Sequence, residues 1–187
     1  MRACLFILPL TLLTGCLTAS ITPVSYWVVK RANVQALSTT QKYGAVRVSQ
    51  VSVRSPYDSR QLVVRRPDGS LAFDAYNQFA ALPSQVFKAP VISALSDSGL
   101  CKVAVDASSS ARVDHIAEVV VTDLAIVSSG DNQLSASVAV LIRMLDAKRD
   151  VVSVSIGSGE VPVRDGLYTD AFSEAFSSAV GKMLAGL

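Results

Sequence analysis

The chain has 187 residues, of which 50% are hydrophobic and 17% are charged, and its formal net charge is +2. This length suits a single domain, and so apolar a composition supplies a core and excludes a chain without fixed structure. The small charge, spread over scattered Lys and Arg residues, excludes a nucleic-acid-binding protein.

The N-terminal stretch is typical of a secretion signal. Arg2 supplies a positive charge, and the apolar run from Ala3 to Leu13 is too short to span a membrane as a helix, which takes about 20 residues. The run ends in a motif that resembles the lipobox of bacterial lipoproteins: Leu13, Thr14, Gly15 and Cys16. The resemblance implies that residues 1–15 are a cleaved signal peptide and that Cys16 becomes an acylated N terminus, with palmitate-type chains. An ordinary signal peptide with a chance cysteine is the alternative.

The segment after the signal is interpreted as a membrane anchor. Residues 16–24 form the lipidated N terminus and a short tether, and residues 25–187 form one periplasmic domain. Each buried CH2 of an acyl chain contributes about 0.8 kcal/mol, so two or three chains hold the protein on the membrane. The tether from Leu17 to Val24 extends to about 26–29 Å at most, which keeps the domain close to the membrane. Leu17 implies outer-membrane sorting in bacteria where Asp at that place retains lipoproteins at the inner membrane.

Two strands of a hairpin and one strand before them are predicted in the first part of the domain. Residues 45–53 alternate between apolar and polar, with a change of phase between Val48 and Val51 that indicates a bulge. Segments 61–66 and 71–76 flank a Pro-Asp-Gly turn, which favours a tight reversal of the chain.

A helix is predicted over residues 83–98, where apolar residues recur at helical spacing and Gly99 provides a stop. Pro90 lies inside this segment, and within a helix it removes a hydrogen bond and clashes one turn back. Either the helix kinks at Pro90, or its regular part begins near Ala89.

The second half of the domain is predicted to contain four strands and a closing helix. The strands span residues 101–105, 115–127, 133–146 and 151–156, and the helix spans 167–187. The last three strands form an antiparallel meander. The order of elements indicates an α+β fold: a mixed, largely antiparallel sheet with two main helices packed on one face.

No set of catalytic or metal-ligating residues is evident in the sequence. His115 is the single histidine, no G-x-S-x-G or Walker A motif occurs, and residues 157–159 (Gly-Ser-Gly) are interpreted as a loop. Four separated acids are interpreted as solvated charges: Asp106, Asp114, Glu118 and Asp123. With Cys4 removed and Cys16 acylated, Cys101 has no disulfide partner and is predicted to be a buried small hydrophobe. We therefore predict a protein that is not an enzyme and holds no metal, and whose only non-protein group is the lipid on Cys16.

The chain resembles the ABC-type transport auxiliary lipoproteins, the PqiC-like family, over nearly all of residues 24–185. The most specific stretch is YDSRQLVVRRPDGSLAFDAYNQFAALPSQVFKAPVISAL, residues 57–95. It contains a strand with a Leu-Val pair and Arg65, a hairpin, an aromatic residue (Phe79) before Pro83, and the first helix. A later strand with the pattern V-x-V-x-D-L, residues 119–124, and the closing amphipathic helix also match.

The resemblance implies a role in a transport system that has an inner-membrane permease, an ATPase and an MCE-domain protein bridging the periplasm. The lipoprotein is then the outer-membrane end of that system, where it docks the periplasmic conduit for lipid transport, with phospholipid as the expected cargo. Two other functions remain open at this point. One is a structural or regulatory envelope lipoprotein, such as an assembly factor or a synthase activator, and the other is a carrier that binds lipid in its own cavity.

Three residues around the first hairpin are candidates for contact with a partner protein: Tyr57, Arg60 and Arg65. Tyr and Arg are common anchors of protein interfaces when they are exposed. The alternative is that they are ordinary residues at a sheet edge. Whether the domain itself binds lipid and whether it forms a homo-oligomer are also left open by the sequence.

Overall fold

The structure is a computed structural model that describes residues 22–34, 36, 40–131 and 133–187. The lipobox residues Leu13, Thr14, Gly15 and Cys16 lie outside the described residues. The strands are β1 (Ser25–Trp27), β2 (Tyr43–Val53), β3 (Gln61–Arg65), β4 (Leu71–Phe79), β5 (Cys101–Asp106), β6 (His115–Ser128), β7 (Leu134–Leu145) and β8 (Val151–Pro162). The helices are α1 (Pro83–Val86), α2 (Lys88–Asp97) and α3 (Tyr168–Ala185). No helix in these described ranges is long and apolar enough to span a membrane.

The eight strands form one sheet around the long strand β6. One edge of β6 pairs antiparallel with β7, and β7 pairs antiparallel with β8, which confirms the predicted meander. The other edge of β6 is shared: β2 runs parallel beside its first half and β3 runs parallel beside its last residues. Beyond β2 lies β5, and beyond β3 lie β4 and then β1. Most of the residue pairs between neighbouring strands are antiparallel, so the predicted α+β fold with a mixed, largely antiparallel sheet is confirmed.

The core lies between one face of the sheet and the helices. Aromatic rings connect the layers: Phe79 of β4 contacts Phe172 of α3 at 5.5 Å between centroids, and Phe87 contacts Phe176 at 4.9 Å. The inward residues of β7 are completely buried beneath α3: Ala136, Val138, Val140, Ile142 and Met144. The helices therefore share one hydrophobic core with the sheet.

The predicted bulge, hairpin and helix stop are present in the structure. The register of β2 against β6 shifts between Val48 and Gln50. Gly69 in the hairpin turn has a φ of 82°, and Gly99 after α2 has a φ of 74°, values that favour glycine.

Pro90 lies in the first turn of α2 because the helical region divides at Phe87. In the first turn of a helix a backbone N–H has no intrahelical acceptor, so the missing N–H of proline costs little there. Of the two alternatives from the sequence, the structure has the one in which the regular helix begins near Ala89.

The Gly-Ser-Gly segment at 157–159 is part of β8, so its interpretation as a loop was wrong. Gly157 and Gly159 face α3, where an added Cβ atom would lie 2.0 Å from the carbonyl oxygen of Ala179 and 2.2 Å from that of Ala175, respectively. The glycines occur here because the helix backbone lies directly on the strand. A close helix–strand approach is a tertiary requirement that local sequence does not reveal.

Candidate interaction surface

The face of the sheet opposite the core has exposed apolar side chains at both of its sides. On β4, Leu71 and Phe73 point outward, and on β8 a strip of residues alternates outward: Val152, Val154 and Ile156. Phe73 is 50% exposed and Ile156 is 62% exposed. The described helices pack against the other face, so these side chains are available to a partner or a membrane.

Tyr57 and Arg65 come together in a chain of polar side chains on this outer face. Arg65 donates through Nη2 to the Tyr57 hydroxyl at 3.0 Å and forms an ion pair with Asp123. Ser137 donates from its hydroxyl to the other oxygen of Asp123 at 2.8 Å. The hydrogen bond with Tyr57 raises the pKa of Arg65, and the Asp123 charge adds to this against the opposing effect of burial.

This polar chain crosses three strands at the narrowest joint of the sheet. Arg65 belongs to β3, Asp123 to β6 and Ser137 to β7, and β3 meets β6 through only two register pairs. The side chains therefore stabilise the joint between β3 and β6. Since the Arg65 and Tyr57 side chains bind each other, any partner would contact this pair as one unit.

Arg60 lies apart from that pair, in a second group of residues at the β1 edge. Its Nε donates to the carbonyl oxygen of Phe79 at 3.1 Å, and its guanidinium lies over the ring of Tyr26 at 5.3 Å from the centroid. Within the described residues, Arg60 has no carboxylate within ion-pair distance. It is thus an exposed cation held on an exposed aromatic ring.

The short strand β1, which is absent from the elements predicted above, positions this second group. Trp27 and Val29 turn inward: the Trp27 indole N–H donates to Asn77 at 3.0 Å, and its ring contacts Tyr168 of α3 at 5.3 Å. Val24, Tyr26 and Val28 alternate outward. The alternation over 24–29 was the signal that could have revealed β1, but a strand of three residues is too short for periodicity alone to establish.

The four acids interpreted as solvated charges lie in four separate places. Asp106 pairs with Lys88 at 2.6 Å, which together with hydrogen bonds from Ser108 lowers the pKa of that carboxyl to about 2. Asp114 accepts from the backbone of Ala45, and Glu118 lies 4.0 Å from Arg143. The interpretation of Asp123 as a solvated charge was wrong, because its side chain is only 20% exposed and is paired with Arg65.

The described residues contain no cluster of three or more side chains able to hold a metal ion. His115 packs edge-on against Tyr43 at 5.2 Å. Cys101 is buried, as predicted, and burial raises the pKa of its thiol, so the reactive thiolate is disfavoured.

A groove between residues 30–33 and α3 has a volume of about 390 Å³ and is lined by residues with charged or polar side chains. Lys30 in this groove pairs with Asp170 at 2.5 Å, and Arg31 pairs with Asp97 at 2.6 Å. The hydrogen bond from Arg31 to Asp97 raises the pKa of the guanidinium. These charges are paired within the protein, so they fasten the N-terminal segment to the helices.

Comparison with known proteins points to one family. A family model described as the ABC-type transport auxiliary lipoprotein component matches residues 29–185. No curated protein sequence matches the chain. A solved structure from Xanthomonas campestris, of the family DUF330, is similar with a TM-score of 0.62 and 18% identity, over 87% of this chain and 90% of that chain. A PelC dodecamer from Paraburkholderia phytofirmans has a TM-score of 0.45 and 15% identity, over 86% of this chain and 98% of that chain.

Proposed function

Because the chain belongs to the ABC-type transport auxiliary lipoprotein family, we propose that it docks the periplasmic part of an ABC transport system at the outer membrane. The docked protein is an MCE-domain protein, and the cargo is phospholipid. The anchor is the lipid on Cys16, and we propose no other non-protein group. In this proposal the chain performs no catalysis. The observation that carries the proposal is the family match over residues 29–185.

The placement of the anchor supports a docking role. Six residue steps separate Cys16 from Thr22, the first described residue. Even fully extended, these steps span only about 20 Å. A domain held so close to one membrane is suited to receive a conduit that crosses the periplasm from the other membrane, rather than to reach across the periplasm itself.

Affinity purification of the full-length, acylated protein from its native envelope tests the proposed partner. We expect an MCE-domain protein to co-purify, and deletion of the gene to increase phospholipid in the outer leaflet of the outer membrane. Purification without an MCE-domain protein, together with unchanged lipid asymmetry in the deletion strain, would contradict the proposal.

A Leu17→Asp variant provides the matched control for location, in bacteria where Asp after the lipidated cysteine retains lipoproteins at the inner membrane. Its folded domain is unchanged, but its anchor is moved. We expect this variant to sediment with inner-membrane vesicles and to fail to complement the deletion, whereas Leu17→Asn complements it. Full complementation by a variant located at the inner membrane would show that docking at the outer membrane is not the function.

A further inference from the structure

Five exposed side chains form an uncovered surface along β1 and β4, which we call the β1–β4 surface: Val24, Tyr26, Val28, Phe73 and Tyr76. Tyr26 is 59% exposed and Tyr76 is 53% exposed. Tyr and Phe side chains with an apolar body are enriched where proteins meet the boundary between lipid and water. This surface is at an edge of the sheet, so a membrane surface can approach it.

The chain that leads to the anchor enters the domain at this surface. β1 runs parallel to β4, with Ser25 beside Asn77, so Val24 precedes the strand on the side of Tyr76. The parallel direction leads residues 22–24 toward the start of β4, where Phe73 lies. Cys16 is then at most about 20 Å from Thr22, so this side of the domain is the side nearest to the membrane that holds the lipid.

The charge at the surface suits a phosphate group. Arg60 lies on the Tyr26 ring with one N–H donated to Phe79, and its remaining N–H groups have no acceptor among the described residues. The carboxylate of Asp74, the acid of β4, accepts hydrogen bonds from the backbone N–H groups of Tyr76 and Asn77 and from the Asn77 amide. A guanidinium held in this way binds phosphate oxygens with charge-assisted hydrogen bonds.

We propose that the β1–β4 surface lies on the phospholipid headgroups of the membrane that holds the Cys16 lipid, with Arg60 on a lipid phosphate. Tyr26, Phe73 and Tyr76 then enter the boundary between the headgroups and the acyl chains. This inference rests on the proposed function, because it needs the acylated Cys16. It sets the orientation of the domain: the edge with β1 is nearest to the lipid, and β8 lies at the opposite edge of the sheet.

A tryptophan placed on the surface reports this contact: Val28→Trp, in a Trp27→Phe background, because Val28 is exposed whereas the native Trp27 ring turns inward against Tyr168. The acylated protein is reconstituted into vesicles of phosphatidylethanolamine and phosphatidylglycerol that contain brominated lipid. We expect the fluorescence of the introduced tryptophan to be quenched. The quenching is lost in Tyr26→Ser/Phe73→Ser/Tyr76→Ser and reduced in the single variant Arg60→Gln. A matched triple variant at the opposite edge, Val152→Ser/Val154→Ser/Ile156→Ser, keeps it.

Flotation of the vesicles separates failure of this inference from failure of the anchor. Protein that floats with the vesicles while the introduced tryptophan remains unquenched would overturn the inference and leave the anchor intact. Protein that does not float would overturn the lipid anchor of the proposed function. Quenching lost only in the β8 variant would place the membrane at the other edge. Circular dichroism verifies that each variant is folded, and the single variant Arg60→Gln tests the contact if the triple variant is not.

Discussion

At the scale of residues, the polar chain of Tyr57, Arg65 and Asp123 joins side chains that are far apart in the sequence. Tyr57 and Arg65 were selected by residue type, and the structure joins them through a direct hydrogen bond. Asp123, which completes their polar chain, is 58 residues from Arg65, and nothing in the local pattern connects the two. The local sequence therefore indicates a solvated Asp123, whereas the pairing of β3 with β6 places this side chain beside Arg65.

The ion pair between Lys88 and Asp106 makes the stability of the fold depend on acid pH. The pKa of Asp106 is about 2 in the folded protein, below its ordinary value of 3.8. The folded state therefore gains stability from the ionised carboxyl above pH 3.8, and this gain is lost as the pH falls toward 2.

We expect Lys88→Met to lower the free energy of unfolding at pH 6 and to have a smaller effect at pH 2, where Asp106 is about half protonated in the folded state and almost fully protonated in the unfolded state. Urea unfolding at the two pH values measures this difference. A matched substitution, Lys102→Met, removes an exposed lysine of β5 for which the described structure has no ion pair. An effect of Lys88→Met that does not change with pH would show that the pair is not linked to protonation.

At the scale of elements, periodicity predicted the meander, the first hairpin and α3, because each has a long alternation or a long helical stripe. It did not predict β1, which has three residues, or the full length of β8. The alternation of β8 is interrupted by Gly157 and Gly159, residues that locally favour a loop. Their presence in a strand is explained only by the α3 backbone that lies against them.

Gly157→Ala tests how closely α3 is packed on β8. The added Cβ would lie 2.0 Å from the Ala179 carbonyl oxygen and 2.5 Å from the Met183 nitrogen, both backbone atoms. Since the helix must shift, we expect the free energy of unfolding to fall by about 1–3 kcal/mol or more. Gly130→Ala is the control, because a Cβ there meets nothing within 4 Å. Equal denaturation midpoints for the two variants would show that α3 can shift away from Gly157 without a loss of stability.

At the scale of the whole molecule, one hydrophobic core contains residues from β2 to β7, both longer helices and the segment after β1. A continuous core favours cooperative unfolding. We therefore expect the fluorescence of Trp27 and the far-ultraviolet circular dichroism to report one transition at the same urea concentration. Trp27 fluorescence changing at lower urea would show instead that β1 detaches before the sheet unfolds, and that residues 25–187 are not one cooperative unit.

The parallel pairing of β1 with β4 also has a mechanical consequence. In the proposed arrangement, a force between the Cys16 anchor and a docked partner is transmitted through β1. When that force is directed along the strand, the three register pairs from Ser25 to Trp27 resist together in shear, because their hydrogen bonds run across the strand. The Trp27 side chain adds to the attachment of β1, because its indole N–H donates to Asn77 and its ring packs on Tyr168. In that arrangement, a strand of only three residues bears the load between the domain and its proposed anchor.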